Sequence, residues 1–385
     1  MTEAWREAGT VAGGEAPEGA GPAGAPARGT AAAGGAAAVG SPLVARPLAL
    51  PRCGLTLRNR LVMVPVATAK ADAAGRVTET LCEHYTTRAR GRHLGLVECE
   101  HHFVSPEGRA NPHQASISRD SDVEGLRREA AALHDCDTPV LVQLSHAGSA
   151  ASSALTGMRP IAPSERLAPG AKVGHELPRV MDADDIGRVV EAFARAARRA
   201  RLAGFDGVEV HAAHGYLLDQ FFSPLTNLRE DAYGGDVFGR LRITLEVVDA
   251  VRSELDGRMA LSVRLGGCDY RPGGNEIEDG VEAARLLEGA GCDLVSVSGG
   301  MNYYTRIDTL EPGYFSDLST PVRAAVGVPV ILAGGVRRIG DAERLLADGA
   351  CDLVGVGRAI LNNERWADVQ WRRLERAHQD AGRRR

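Results

Sequence analysis

The chain has 385 residues and a formal net charge of −5. That length admits one large α/β barrel or two smaller domains, and the mildly acidic balance supplies no basic footprint for nucleic acid or an anionic membrane surface. No apolar run reaches the ~18 residues needed to span a bilayer, so the expected partner is a small molecule.

Residues 1–42 are dominated by Ala, Gly and Pro and contain almost no large apolar side chains. Such a segment cannot bury enough surface to offset its ordering entropy, and it is read as a disordered extension. A start codon assigned too far upstream is the competing account. The segment has neither the apolar run nor the basic start of a secretory signal. Residues 43–385 are read as one domain. Lysine occurs only at Lys70 and Lys172, which leaves arginine as the expected ligand for any anion. The seven cysteines, Cys53, Cys82, Cys99, Cys136, Cys268, Cys292 and Cys351, are scattered with no CxxC pair. This argues against a zinc ribbon, an iron–sulfur cluster or a disulfide framework and fits a reducing, cytoplasmic setting.

From residue 55 onward, short apolar runs recur at 61–66, 94–99, 139–144, 207–212, 259–265, 293–298, 329–334 and 352–357. They are nearly continuous in apolar character, as strands buried on both faces of a parallel sheet are. Between them lie helical segments such as 182–204 and 276–292, with apolar residues at three and four spacing and Gly near the C-terminus. Eight strands alternating with helices predict an α/β TIM (β/α)8 barrel. The alternative, an open doubly wound sheet, lacks the GxGxxG turn it would need after a strand. Two connections, 145–182 and 221–238, are too long for plain crossovers and are expected to cover the site.

In such a barrel the reacting groups sit at the C-terminal strand ends. In chain order these ends carry Pro65, Ala67 and Thr68; Glu100 and His101; Gln143 and His146; His211, His214 and Tyr216; Arg264; and Ser298, Gly299 and Gly300. Strands 7 and 8 end instead in Ala333-Gly334-Gly335 and in Gly355-Val356-Gly357-Arg358, with helices expected to begin near Gly340 and Asn362. Bare backbone amides at those two strands, with Arg358 as clamp, predict a phosphate site; tight turns are the other reading of the same glycines. His211 and His214 suit hydrogen-bond donation to a substrate oxygen, or metal ligation, although no third ligand is evident. Arg264 is read as a ligand clamp, with a structural ion pair as the alternative. His146 stays open between a site residue and a core histidine, and Cys99 and Cys268 are read as buried apolar residues.

Taken in order, VPVAT, SPEGR, QLSHAG, HAAHGYLLDQFFSPLTNLREDAYGG, VRL, SGG, AGGV and GVGRAIL resemble the old yellow enzyme family of FMN-dependent NAD(P)H:flavin oxidoreductases, over roughly residues 43–372. The central motif is long and specific. The resemblance implies FMN across the strand ends, NADH or NADPH as reductant, and ping-pong reduction of an activated alkene, without a metal. It implies that Gln143 meets the flavin pyrimidine edge and that Arg264 faces N1 and the C2 carbonyl. Pro65, Val66, Ala67, His101 and Gly300 would line the cofactor, and Ala333, Gly334, Gly335, Gly357 and Arg358 would hold its phosphate. His211 and His214 would bind the substrate carbonyl and Tyr216 would donate the proton. A homo-oligomer is the family's habit.

Several positions depart from the family pattern. Ala67 stands where Cys or Thr is usual, and Thr68, one place later, is expected to face the other way. Ala69 replaces a frequent Tyr, His101 a small residue, and Ser149 a frequent Arg. With no cysteine after Cys351, the chain is expected to be a barrel alone, reduced directly by NAD(P)H. Two rival readings remain: a metal-dependent barrel hydrolase built on His211 and His214, and a non-catalytic flavin-binding redox sensor.

Overall fold

A computed structural model describes residues 41–171, 175–306 and 308–383. The extension read at 1–42 therefore lies almost wholly outside the described residues, as does Lys172. All eight apolar runs form parallel strands: β1 (Leu61–Met63), β2 (Leu96–Phe103), β3 (Val140–Ser145), β4 (Gly207–Ala212), β5 (Ala260–Cys268), β6 (Leu294–Gly299), β7 (Val330–Ala333) and β8 (Leu353–Val356). Each pairs with its successor and β8 pairs with β1, which closes the barrel. A helix follows each strand in turn: α1 (Glu79–Ala89), α2 (Val123–His134), α3 (Ala183–Ala203), α4 (Val237–Glu254), α5 (Ile277–Gly289), α6 (Ser316–Ala325), α7 (Ile339–Ala347) and α8 (Trp366–Arg383). The predicted helix over 182–204 is bounded by its own chemistry. Asp182 caps the N-terminus by accepting from the Asp185 amide at 2.8 Å, and Gly204 ends it with φ +89°.

The barrel interior is layered by strand parity. At the N-terminal end Val62, Leu96, Leu141, Ala260, Leu294, Ile331 and Leu353 form an apolar floor, closed by Leu50, Cys53 and Leu57 of an antiparallel hairpin (Leu48–Leu50 with Leu55–Leu57). Two residues further along the strands the interior turns polar, with Glu98, Gln143, Glu209, Ser262 and Ser296 all buried. The apolar runs conceal this layer, because inward polar residues there are single letters inside hydrophobic strands.

Strand β1 is shorter than its apolar run, since Pro65 has no N–H for the ladder. Strand β2 is longer than its run and carries a bulge: Cys99 pairs with Val142 and His101 with Gln143, so Glu100 is the extra residue. The bulge reverses the facing of everything after it. Glu98 and His101 both reach the interior, whereas Cys99 and His102 lie against the helices. There His102 Nε2 meets Glu129 Oε2 at 3.2 Å, and Tyr85 Oη accepts from the Glu100 amide at 2.7 Å. Cys99 and Cys268 are buried, as expected. Among the described residues no helix is long and apolar enough to cross a membrane.

Burial opposes charge on His102, yet the Glu129 carboxylate and the Glu100 carbonyl outweigh it and hold the imidazole above its ordinary value. The stabilisation is therefore present at low pH and lost as pH rises through that raised value. Glu129→Ala removes the carboxylate that favours the proton on His102, so it should destabilise the fold most at low pH, and the gap from wild type should narrow as pH rises. Urea midpoints measured across a pH series check both; a pH-independent gap would leave only packing.

Candidate active site

The C-terminal strand ends open into a cavity of about 1140 Å³. That exceeds the ~300–1,000 Å³ typical of a single small-ligand pocket. Its wall includes Pro65, Val66, Ala67, His101, Gln143, His211, His214, Tyr216, Arg264, Ala333, Gly334, Gly335, Gly357 and Arg358, thirteen strand-end or turn positions expected from sequence together with Val66. Gly300 is not in the wall. It packs between Gly266 and Asp269, where a Cβ would fall 2.3 Å from Asp269 Oδ1, so its missing side chain serves packing. His146 is also outside: it is buried, and its Nδ1 accepts from the Gly148 amide at 3.1 Å.

The donor wall is built by the turn after β4. His214 and Gly215 both take left-handed backbone, φ +61° and +74°, a costly conformation for histidine that surrounding bonds must enforce. Asp219 Oδ2 accepts from the Gly215 amide at 2.7 Å, and Gly299 O accepts from the His214 amide at 3.3 Å. The result stands His211 against His214 edge to face, ring centroids 5.1 Å apart, with Tyr216 5.0 Å from His211. Ser298 Oγ lies 2.7 Å from His214 Nε2, leaving Nδ1 as the edge open to a ligand. His211 Nδ1 is buried and lacks a partner.

Burial, then neighbouring positive charge from the other imidazoles and Arg264, pushes His211 and His214 well below the ordinary histidine value. His101 is lowered to about 4 for the same reasons, with burial first. All three are neutral at pH 7. Burial also pushes the Tyr216 hydroxyl up to about 12, so it keeps its proton. Among the described residues no group of three His, Cys, Asp or Glu is arranged to hold a metal ion.

The floor of the cavity carries charge. Arg264 is 5% exposed, and its Nε is buried without a partner. Gln143 donates Nε2 to Glu209 Oε1 at 2.7 Å and so keeps its carbonyl oxygen for the cavity. Glu209 Oε2 takes the Ser262 hydroxyl at 3.3 Å. Glu98 sits beside Glu209, and burial followed by that carboxylate's repulsion pushes it well above the usual carboxylate range, against the pull of Arg264. A proton on Glu98 shared with Glu209 is the arrangement this requires.

At the far side Gly334 and Gly335 adopt φ +152° and +68°, and a Cβ on either would lie 2.8 Å from the Tyr314 ring. Arg358 Nη2 donates to Tyr314 Oη at 2.9 Å. Helix α7 begins at Ile339, as expected. A short helix, Arg358–Asn362, lies between β8 and α8; it begins at Arg358, with Gly357 at its N-cap, and not near Asn362. Asn363 ends that short helix because its side chain and carbonyl are committed to the amides of Arg365 and Trp366.

Of the two long connections only the first covers the site, through Ser149, Ala150, Ser152, Ala168 and Gly170. The segment 221–238 lines nothing there. It braces the first connection instead: the Leu228 amide donates to Ser164 Oγ at 2.8 Å and Arg229 to Met181 O at 2.7 Å. Thr68 faces away from the cavity, as expected, its amide donating to Glu100 Oε2. Glu98, Glu209, Gln114 and Asp219 were not found from sequence. A lone carboxylate two residues before His211, inside an apolar run, was the signal for Glu209.

Residues 46–375 match the NADH:flavin oxidoreductase / NADH oxidase family. An NADPH dehydrogenase of Geobacillus thermodenitrificans is 38% identical over 317 residues, covering 81% of this chain and 89% of that protein. An NADH oxidase of Thermoanaerobacter brockii is 35% identical over 319 residues, 81% of this chain and 48% of its own, so this chain spans about half of that relative. Among solved structures, the old yellow enzyme homologue from Zymomonas mobilis superposes with TM-score 0.74 at 28% identity, covering 87% of this chain and 93% of that one. Morphinone reductase in complex with tetrahydroNAD gives 0.73 at 27% identity, covering 88% and 92%.

Histidine-selective ¹⁵N NMR should find His101, His211 and His214 uncharged at pH 7, with His101 taking its second proton only toward pH about 4. Because the folded values are depressed, the protein should lose stability as pH falls from the ordinary 6.5 toward that value. Imidazolium signals from this cluster at neutral pH would contradict the burial argument. Asp219→Ala, which frees the Gly215 amide, should broaden the His214 resonances.

Proposed function

The chain belongs to the NADH:flavin oxidoreductase / NADH oxidase family and is a flavin oxidoreductase of the old yellow enzyme type; from that premise we propose that it uses NAD(P)H to reduce the activated C=C bond of α,β-unsaturated carbonyl compounds. The observation that carries this reading is the convergence of two neutral imidazoles and a protonated tyrosine on one wall, above a buried arginine with an uncommitted donor.

The residues suit FMN. Gln143 offers an acceptor for the pyrimidine N–H, and Arg264 Nε is an orphaned cationic donor suited to the side of the ring that becomes anionic on reduction. Pro65, Val66, Ala67 and His101 would border the ring. Ala333, Gly334, Gly335 and Gly357 line the cavity with nothing larger than a methyl group and would offer backbone amides, and Arg358 would clamp the phosphate. When bound, FMN would supply the hydride chemistry, taking hydride from NAD(P)H and giving it from N5 to the alkene in alternate half-reactions.

His211 and His214 would donate to the substrate carbonyl, withdrawing electron density from the β-carbon and stabilising the negative charge that builds on that oxygen. Removing one such donor costs about 10²–10³ in rate. Their neutrality matters, because each presents one N–H without bringing a charge that the buried wall would have to solvate. Tyr216 would hold its proton for the α-carbon. The cavity's size supports a substrate, or the nicotinamide in its turn, stacked over the cofactor.

Purified protein should be yellow, bleach anaerobically with NADH or NADPH, and recover its colour with 2-cyclohexenone. Tyr216→Phe should leave the bleaching step intact and slow recovery by ~10²-fold or more. Both half-reactions are read by stopped-flow absorbance. Colour that neither nicotinamide bleaches would point to a redox sensor, and colourless protein carrying stoichiometric zinc would end the flavin reading.

A further inference from the structure

We propose that His101 is a third hydrogen-bond donor of the substrate wall, one that selects alkenes bearing a second acceptor group besides the carbonyl held by His211 and His214. The proposal rests on the activated-alkene reading above and adds to it the class of substrate preferred.

The bulge in β2 aims His101 inward, and its ring lies 5.6 Å from Tyr216 and 6.4 Å from His211, centroid to centroid. It therefore belongs to the donor wall and not to the Gly334–Arg358 side. Its tautomer is set by Gln114. The Gln114 amide is oriented independently, with Oε1 accepting from the Ala110 amide at 2.7 Å and Nε2 donating to the His101 carbonyl at 3.1 Å. That orientation turns the amino group toward His101 Nδ1, 2.5 Å away. An amide N–H₂ cannot accept, so Nδ1 is the acceptor and the single proton of the neutral ring is on Nε2. A second proton, on Nδ1, would meet the Gln114 amino group head on.

Nε2 has no protein partner among the hydrogen bonds of the described residues. It is not among the buried unpartnered atoms either, and the ring lines the cavity. An N–H of fixed direction thus opens into the space that His211, His214 and Tyr216 also face, and no carboxylate lies among these four side chains to consume it. A ligand with one acceptor that displaces water from this donor leaves it unpaired, which is costly. A ligand with acceptors on both sides of its double bond, such as an ene-dione, satisfies it. The reaction is unchanged: hydride and proton still add across one C=C bond.

The test uses oxidised holoenzyme without reductant, titrated with 2-cyclohexenone and with 2-cyclohexene-1,4-dione, which differ by one carbonyl. Binding is read from the flavin absorbance. His101→Phe keeps a ring and removes the donor, His101→Ala removes both, and Gln114→Leu releases the tautomer. Wild type should prefer the dione, and in His101→Phe and His101→Ala that preference should collapse roughly tenfold. Gln114→Leu should fall between. If His101→Phe keeps the preference, ring bulk and not the N–H is responsible and the proposal fails. If both ligands weaken equally while the flavin potential shifts, His101 serves the flavin and the proposal fails. Yellow wild type that binds neither ligand would instead overturn the activated-alkene reading itself.

Discussion

Arg264 is the constraint around which the barrel interior is organised. A guanidinium cannot lose its charge, and one that is 5% exposed must be compensated by groups already inside. The barrel does this with a polar layer sandwiched between an apolar floor and the open cavity. Glu209 and Glu98 share the negative charge, Ser262 supports Glu209, and Gln143 is tied to the same carboxylate at 2.7 Å. Removing Glu209 would free Gln143 and take a carboxylate out of the layer beneath Arg264 in one step, although neither residue adjoins it in sequence. The orientation of the cavity floor is thus inherited from a charge-balance problem two residues deeper in the strands.

The same layer shows how much could be read from sequence. Strand existence and order were legible because parallel barrel strands are buried on both faces and write themselves as apolar runs. The donor turn was legible because His211, His214 and Tyr216 lie in one uninterrupted segment. Glu98 and His101 were harder. A regular strand through Glu98 and His101 would put them on opposite faces, and only the bulge at Cys99–His101 brings both inward. A bulge leaves no composition signal, so the facing of everything beyond Cys99 is not written in the sequence. Gly300 sits at a strand end, as site residues do, yet it lies outside the cavity wall and its missing side chain makes room for Asp269. The long segment 221–238 was read as a lid for its length, whereas its hydrogen bonds make it a brace for the true cover.

The turn after β4 concentrates cost where function needs it. Two consecutive left-handed residues, one of them histidine, are held by a carboxylate, Asp219, whose other oxygen is buried without a donor. Burial, and the Asp269 carboxylate nearby, push Asp219 well above the usual carboxylate range, with the Gly215 amide pulling the other way. An isolated turn of this kind would relax. It persists because β4, β5 and β6 supply rigid partners on every side, Gly299 O among them. Precision at His214 is therefore a property of the closed barrel and not of the local sequence, which explains why HAAHGY suggests donors without revealing their directions.

The field of Arg264 also divides the chemical roles. His101, His211 and His214 are each depressed first by burial and then in part by that cation, so none can act as a proton donor of charged form near neutrality. They are left as neutral hydrogen-bond donors, able to polarise an oxygen but not to protonate carbon. Tyr216 is affected in the opposite sense: its burial keeps the hydroxyl protonated up to about 12. It is the one group of the wall with a proton to give that does not require the wall to carry a charge beforehand. A metal at the histidine pair would need the reverse, a negative ligand set to offset its charge. The nearest fixed charge of the wall is a cation, Arg264, whose field acts on both histidines. The field of Arg264 thus suits the histidines to the oxyanion-donor role proposed for them, and the burial of Tyr216 suits it to the proposed proton transfer.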